Sequence, residues 1–280
     1  GGVDANKVDA IVKKSFTDDG SGDKIDAILV VQGGRLVVEE YNGWDPEVAH
    51  NSWSMAKSIN SALVGILVGQ GKLDVWKPVD APEWKGDDPR AKITLDDLLR
   101  MSSGLEWEES YSDAGADVIK SLGSDLDRAH YAANKPLVHE PGTFWAYSTG
   151  TANLISRSVA QQVGYGEQLT GWADDELFAP LGITAAYQSA LLPADVPVSD
   201  QFQMPGRTLG EAVRDGAAAV TEPDPQTHYT WTAGKLTLSA PDLSRLLVTL
   251  CDGGVCGGMR ILKEDSVLAM RTLQNGIGSV

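Results

Sequence analysis

The sequence predicts an α/β protein of the α+β kind, in which helices flank an antiparallel sheet and an all-helical lobe is inserted. The chain has 280 residues, of which 42% are hydrophobic, enough to bury one large core. This size favours one α/β region with a helical insertion over two independent domains. Residues 27–43 read as two strands around the Gly33-Gly34 turn, the hairpin that begins the sheet. Residues 59–68 and 151–163 read as helices.

The tetrapeptide Ser54-Met55-Ala56-Lys57 is an S-x-x-K motif at the start of an apolar run. Residues three apart share a helix face, so the Lys57 amine can reach the Ser54 hydroxyl and act as the base that a serine nucleophile needs. The segment that follows is too apolar for a surface helix. An alternative stays open, in which Ser54 caps an exposed helix and Lys57 is solvated.

A second motif, Tyr147-Ser148-Thr149, follows a Pro141-Gly142 turn and an aromatic run. The turn ends one element, and the tyrosine is presented in a loop before the helix at 151–163. A tyrosine near a Ser-Lys pair can share the proton transfer, because a phenol beside a cationic lysine loses its proton more readily than in water. The alternative is a buried core tyrosine with a bonded hydroxyl.

Four blocks in a fixed order together resemble the class C β-lactamase and penicillin-recognising serine hydrolase family. They are Ser54–Lys57, Ile93–Leu105, Glu140–Ser148 and Leu177–Ile183. Within that family they are most similar to the esterase and 6-aminohexanoate-oligomer hydrolase branch. Because four separate blocks agree in order and spacing, the resemblance is far more specific than any single motif.

The resemblance implies a role for each matching residue and no cofactor or metal. Ser54 would be the acylated nucleophile, Lys57 its activating base, and Tyr147 the group that passes a proton to the leaving group and later helps to activate water. The Ser54 N–H would form half of an oxyanion hole. A helix N-terminus suits that role, because its unpaired N–H groups and positive dipole end face the developing negative charge.

Two departures from the family pattern bear on function. β-Lactamases of the family carry asparagine where this chain has Thr149, and a hydroxyl has a shorter reach and only one proton. This argues against efficient penicillin or cephalosporin hydrolysis and leaves ordinary acyl transfer open. The family's third motif, a Lys/His-Thr/Ser/Gly-Gly triplet, should follow the segment 231–247, but no triplet between that segment and Val280 matches it. Thr232-Ala233-Gly234 is a weaker candidate for the motif. We therefore expect a further C-terminal piece to supply the motif, as a second polypeptide or outside this chain.

The resemblance also implies the domain organisation. Residues 1–50 would form the N-terminal helix and the first sheet strands, 51–228 the helical lobe with both motifs, and 229–280 the return to the sheet, without the C-terminal strands that the family pattern predicts. The stretch 190–228 reads as a long loop over the site.

Composition limits the partners. The net charge of −16 argues against nucleic acid and anionic membrane surfaces, and no apolar run could span a bilayer. Cys251 and Cys256 flank a glycine-rich turn, which suggests a disulfide in an exported, periplasmic or extracellular protein. Two reduced thiols and a cytoplasmic location remain the alternative. The four scattered histidines match no zinc spacing.

The sequence leaves three functions open. The first is hydrolysis of esters or linear amides through an acyl-enzyme on Ser54. The second is a β-lactamase or D-alanyl-D-alanine peptidase, and the third is a non-catalytic binding or sensor domain with a relic site. Aromatic residues around the motifs suggest an apolar pocket for a small-molecule acyl group, with Trp145 and Trp231, besides Thr149, as the candidate substrate-binding residues.

Overall fold

The computed structural model describes residues 4–17, 25–46, 50–122, 127–183, 186–187, 203–204, 207–208, 236–271 and 278–279. The α-helices in these ranges are α1 (Ala5–Ser15), α2 (Ala56–Gly69), α3 (Leu95–Leu99), α4 (Asp117–Leu122), α5 (Arg128–Ala133), α6 (Thr149–Val163), α7 (Glu167–Ala173), α8 (Ala240–Cys251) and α9 (Glu264–Arg271). Shorter helical turns cover Trp53–Met55, Pro89–Lys92, Asp174–Phe178 and Ala179–Leu181. Among the helices described, none is both long enough and apolar enough to cross a membrane.

The strands are short and form small groups within the described ranges. The antiparallel groups are β1 (Ala27–Gln32) with β2 (Arg35–Tyr41), β3 (His50–Asn51) and β5 (Ala186–Tyr187) on either side of β8 (Leu236–Leu238), β6 (Gln203–Met204) with β7 (Arg207–Thr208), and β9 (Val255–Cys256) with β10 (Met259–Arg260). The parallel pair is β4 (Phe144–Trp145) with β11 (Gly278–Ser279). The predicted mixture of helices and antiparallel strands is confirmed.

The β1–β2 hairpin has the predicted position and turn. Gly33 and Gly34 have φ angles of 57° and 73°, a conformation that glycine adopts without the steric cost of a Cβ atom. The register shifts between Val30 and Val31, so the hairpin contains an irregularity of the β-bulge type. Val38 of β2 is buried, as is Val12 of α1.

Helices α2 and α6 form the centre of the core and hold the two predicted motifs together. Ile59, Leu63 and Leu67 repeat on one side of α2 at helical spacing, and each has no exposed surface. Between the two helices, Asn60 Nδ2 donates to Ser156 Oγ over 2.8 Å. A buried amide with a bonded partner fixes the register of two helices, because a shift would leave its donor without an acceptor.

The loop that carries Tyr147 is attached to the segment 101–104 by main-chain bonds. Ala146 N–H donates to the Met101 carbonyl over 2.9 Å, and Val138 N–H donates to the Gly104 carbonyl over 2.9 Å. Gly104 has a φ of 77°, and a Cβ atom there would lie 2.2 Å from the His139 carbonyl oxygen. Only glycine permits this close approach, so Gly104 helps to set the position of the tyrosine loop.

The predicted disulfide is wrong in this structure, because no bond joins Cys251 and Cys256. Cys251 ends helix α8 and is exposed, whereas Cys256 lies in β9 and packs against the core. The intervening turn is shaped by main-chain bonds such as Gly254 N–H to the Thr249 carbonyl, 2.8 Å long. The glycine-rich turn thus directs one side chain outward and the other inward, whereas a disulfide needs the two Cβ atoms to face each other.

Candidate active site

Ser54 lies in a helical turn that leads directly into α2. The first hydrogen bond of that turn runs from Met55 N–H to the Ser52 carbonyl over 2.9 Å. The Ser54 N–H therefore precedes the first bonded amide of the turn. This is the position that the oxyanion-hole role implied by the family resemblance requires. The neighbouring Trp53 has a φ of 43°, a left-handed conformation that is strained for any residue with a Cβ atom.

The Lys57 amine contacts the Ser54 hydroxyl, as the S-x-x-K spacing predicts. Its Nζ atom lies 2.9 Å from Ser54 Oγ and 3.1 Å from Thr149 Oγ1. Both Ser54 and Lys57 are half-buried. A serine hydroxyl with an amine at hydrogen-bond distance has the arrangement of a nucleophile and its base. This geometry disfavours the alternative in which Lys57 is exposed and solvated.

Tyr147 lies beside the same amine. Lys57 Nζ is 5.0 Å from the centroid of the Tyr147 ring, a distance at which a lysine ammonium is attracted to the ring face. The tyrosine side chain is 37% exposed, so it is not the buried core residue of the alternative interpretation. Its part in proton transfer stays a prediction, since the contact involves the ring.

Thr149 is the first residue of α6, and its hydroxyl lies between Lys57 and a carboxylate. The helix begins two residues before the predicted Thr151, because the Ser148 hydroxyl caps it by accepting the Thr151 N–H over 3.0 Å. The Thr149 side chain is buried, with 1% exposure. Its role in substrate binding stays a prediction.

Glu109 is the carboxylate that meets Thr149, and sequence reasoning missed it. Its Oε1 atom accepts the Thr149 hydroxyl over 2.5 Å and the Tyr111 hydroxyl over 3.1 Å. Its Oε2 atom accepts the Thr149 N–H over 2.8 Å and the Trp107 Nε1–H over 2.5 Å. The carboxylate also lies at the N-terminus of α6, where negative charge is favoured. The available signal was the alternation Trp107-x-Glu109-x-Tyr111, which puts three polar-tipped side chains on one side of an extended segment.

The surroundings hold Glu109 and its partners in place. The Trp107 ring packs against Gly150 so closely that a Cβ atom at residue 150 would lie 2.4 Å from ring carbons. Burial, followed by the nearby Glu109 charge, raises the pKa of the Tyr111 hydroxyl. Tyr111 therefore remains a neutral hydrogen-bond donor at ordinary pH.

The remaining predicted residues have different outcomes. Trp145 lies in β4, two residues before Tyr147, and is half-buried. Trp231, the triplet at 232–234 and most of the stretch 190–228 lie outside the described residues. Within the described ranges, no group of three or more His, Cys, Asp or Glu residues could hold a metal ion.

The chain is similar to known proteins both in sequence and in structure. The family model for Beta-lactamase matches residues 25–278. A 6-aminohexanoate-dimer hydrolase from Paenarthrobacter ureafaciens is 28% identical over 87% of this chain, which spans 57% of that protein. A presumed β-lactamase from Bacteroides dorei has a similar structure, with a TM-score of 0.68 and 19% identity over all of this chain and 73% of that one. A D-amino acid amidase from Ochrobactrum anthropi has a TM-score of 0.54 and 19% identity, covering 86% of this chain and 68% of that chain.

Proposed function

The chain belongs to the β-lactamase family, and on that premise we propose that it is a serine hydrolase that cleaves carboxylic esters or linear amides through an acyl-enzyme on Ser54. One observation carries the proposal: the Lys57 amine lies 2.9 Å from the Ser54 hydroxyl and 3.1 Å from the Thr149 hydroxyl. The names of the relatives that hydrolyse amides, a 6-aminohexanoate-dimer hydrolase and a D-amino acid amidase, support the substrate class.

The proposed mechanism begins with attack of Ser54 Oγ on the substrate carbonyl carbon while its proton moves to Lys57 Nζ. The Ser54 N–H, at the start of a helical turn, would donate to the oxyanion that forms. When the tetrahedral intermediate collapses, the alcohol or amine leaves with a proton relayed past Tyr147, and the acyl group stays on Ser54. Water then attacks the ester, and its proton returns through the same groups.

The decisive experiment is incubation with a fluorophosphonate probe followed by peptide mapping. We expect a single labelled peptide with the adduct on Ser54, because a fluorophosphonate reacts with an activated serine and not with a solvated one. An unlabelled, folded protein would favour the non-catalytic binding domain instead.

The second experiment compares substrates. We expect short-chain p-nitrophenyl esters to be turned over with higher kcat/KM than nitrocefin or benzylpenicillin. The reason is that the Thr149 hydroxyl lies between Lys57 and Glu109 and is poorly placed to donate to a lactam side chain. In Thr149→Asn the ratio should move toward the lactams.

Steady-state kinetics on both substrate classes measure this ratio, with Thr170→Ser, at a half-buried position of α7, as the control. Lactam hydrolysis that is faster than ester hydrolysis in the unmodified protein would contradict the prediction. That result would favour the β-lactamase or peptidase alternative.

A further inference from the structure

We propose that Glu109 is a positioning residue of the Ser54 site, and that it acts by fixing the direction of the Thr149 hydroxyl hydrogen. The inference rests on the proposed function, since it assigns a role in activating Ser54. Glu109 lies 40 positions before Thr149 in the chain, yet it contacts both the main-chain N–H and the side-chain hydroxyl of that residue.

The hydrogen bonds of the carboxylate determine the direction of the hydroxyl. A threonine hydroxyl has one hydrogen and two lone pairs, so it can donate once. Thr149 Oγ1 is 2.5 Å from the Glu109 carboxylate and 3.1 Å from Lys57 Nζ. Since an ionised carboxylate can only accept, the single hydrogen points to Glu109. Thr149 can therefore only accept a hydrogen bond from Lys57.

This direction matters to the base. A neutral lysine amine has two hydrogens and one lone pair. When one hydrogen is given to Thr149, the lone pair can be directed at the Ser54 hydroxyl, whose oxygen lies 2.9 Å from Nζ. If the Thr149 hydroxyl pointed the other way, its hydrogen would occupy that lone pair. The amine could then not deprotonate Ser54.

A substrate-binding role for the same carboxylate is disfavoured by its surroundings. Four donors of the chain already occupy its two oxygens, from Trp107, Tyr111 and both groups of Thr149. An ionised carboxylate has about four lone-pair sites. Glu109 therefore has no acceptor left for a substrate cation unless one of these bonds breaks.

The substitution Glu109→Gln tests the proposal because the direction of the new amide can be derived. Trp107 Nε1–H and the Thr149 N–H can only donate, so the glutamine oxygen must take the place of Oε2. Its NH₂ group then faces the hydroxyls of Thr149 and Tyr111. The Thr149 hydroxyl must accept from it, so its own hydrogen turns away from residue 109 and becomes available to Lys57 or to the adjacent Tyr111 hydroxyl. When it points to Lys57, the native direction is reversed.

In Glu109→Gln we expect both the rate of fluorophosphonate labelling and the rate of p-nitrophenyl ester hydrolysis to fall by on the order of a hundredfold. Losses of this size follow when a catalytic base is in place but wrongly oriented. The fall should be in kcat rather than in KM. In a Thr149→Val background no hydroxyl is left to orient, so adding Glu109→Gln should change the rate by less than about threefold. An equal loss in both backgrounds would overturn the proposal, because it would show a purely structural role.

One control variant and one further measurement complete the test. Trp107→Phe removes one hydrogen bond to the Glu109 carboxylate and leaves the bond from the Thr149 hydroxyl intact. The direction of the Thr149 hydroxyl hydrogen is therefore unchanged. We expect Trp107→Phe to retain much more of the unmodified kcat than Glu109→Gln does.

If Glu109→Gln does not fold, proton NMR of the unmodified protein tests the proposal instead. A short bond at a buried hydroxyl predicts a downfield, exchange-protected resonance that Thr149→Val abolishes; its absence would overturn the proposal.

The proposed function and this inference fail in different ways. If the unmodified protein neither labels nor turns over esters, the proposed function fails. If the unmodified protein labels at Ser54 and Glu109→Gln labels at the same rate, only the role of Glu109 fails.

Discussion

Replacement of Ser54 by alanine is expected to abolish covalent labelling and to lower ester turnover by on the order of a thousandfold or more. Lys57→Ala should come close to this loss, because a nucleophile without its base is a weak one. The double variant should be little worse than either single variant, since groups that act as one unit do not contribute additively. Initial rates with a p-nitrophenyl ester, together with labelling, measure the three variants.

Ser58→Ala is the matched control for this experiment. Ser58 lies on the same helix, next to Lys57 in sequence, but it is exposed, and we expect labelling and turnover as in the unmodified protein. Hydrolysis by Ser54→Ala at the unmodified rate would refute the assignment of the nucleophile.

The largest expected loss of stability is at the buried ion pair of Glu83 and Arg157. Arg157 donates to both carboxylate oxygens, over 2.9 and 3.1 Å, and the two side chains are 7% and 6% exposed. This pair ties α6 to the segment before α3. Arg157→Met should reduce the free energy of unfolding by about 3–5 kcal/mol, because the buried carboxylate of Glu83 loses both hydrogen bonds from the arginine and keeps the contact with His130. Urea unfolding at pH 7 measures the change.

The pH dependence of this loss provides a further check. Burial alone would raise the pKa of Glu83, but the hydrogen bonds from Arg157, a backbone N–H and His130 outweigh it and lower the pKa from the ordinary 4.5. A lowered carboxyl pKa stabilises the fold above the ordinary value, and this stabilisation is lost as the pH falls through the folded value. The difference in unfolding free energy between the unmodified protein and Arg157→Met should therefore narrow below pH 4.5.

The control for the ion pair is Lys13→Met, which breaks the exposed pair with Asp9 in α1. Exposed pairs contribute little to stability, so its unfolding midpoint should not move. If Arg157→Met lowered the free energy of unfolding by no more than Lys13→Met does, the prediction would be contradicted.

The parts of the fold that short-range patterns determine were predictable. The Gly33-Gly34 pair predicted the hairpin, and the apolar run after Ser54 predicted the buried α2, because turn chemistry and helical spacing act between near neighbours in sequence. The Cys251 and Cys256 pair misled for the opposite reason. Their closeness in sequence carried no information on the direction of each side chain, which depends on packing of β9 against the core.

The candidate site shows the same division. Ser54 and Lys57 were found because their spacing contains the geometry that joins them. Glu109 was missed, since it lies 40 positions before Thr149, whose N–H it accepts. A contact across that distance is created by tertiary packing, in this case by Trp107 lying on Gly150, and no local pattern encodes it.

The left-handed backbone of Trp53 has a consequence for laboratory evolution. A residue with a Cβ atom in that conformation costs about 1–2 kcal/mol relative to its ordinary backbone, and glycine or asparagine relieves much of this cost. A library selected for heat resistance should therefore enrich these residues at position 53. The same changes would loosen the turn that presents Ser54, so selection for thermostability and selection for catalytic rate should favour different residues at this one position.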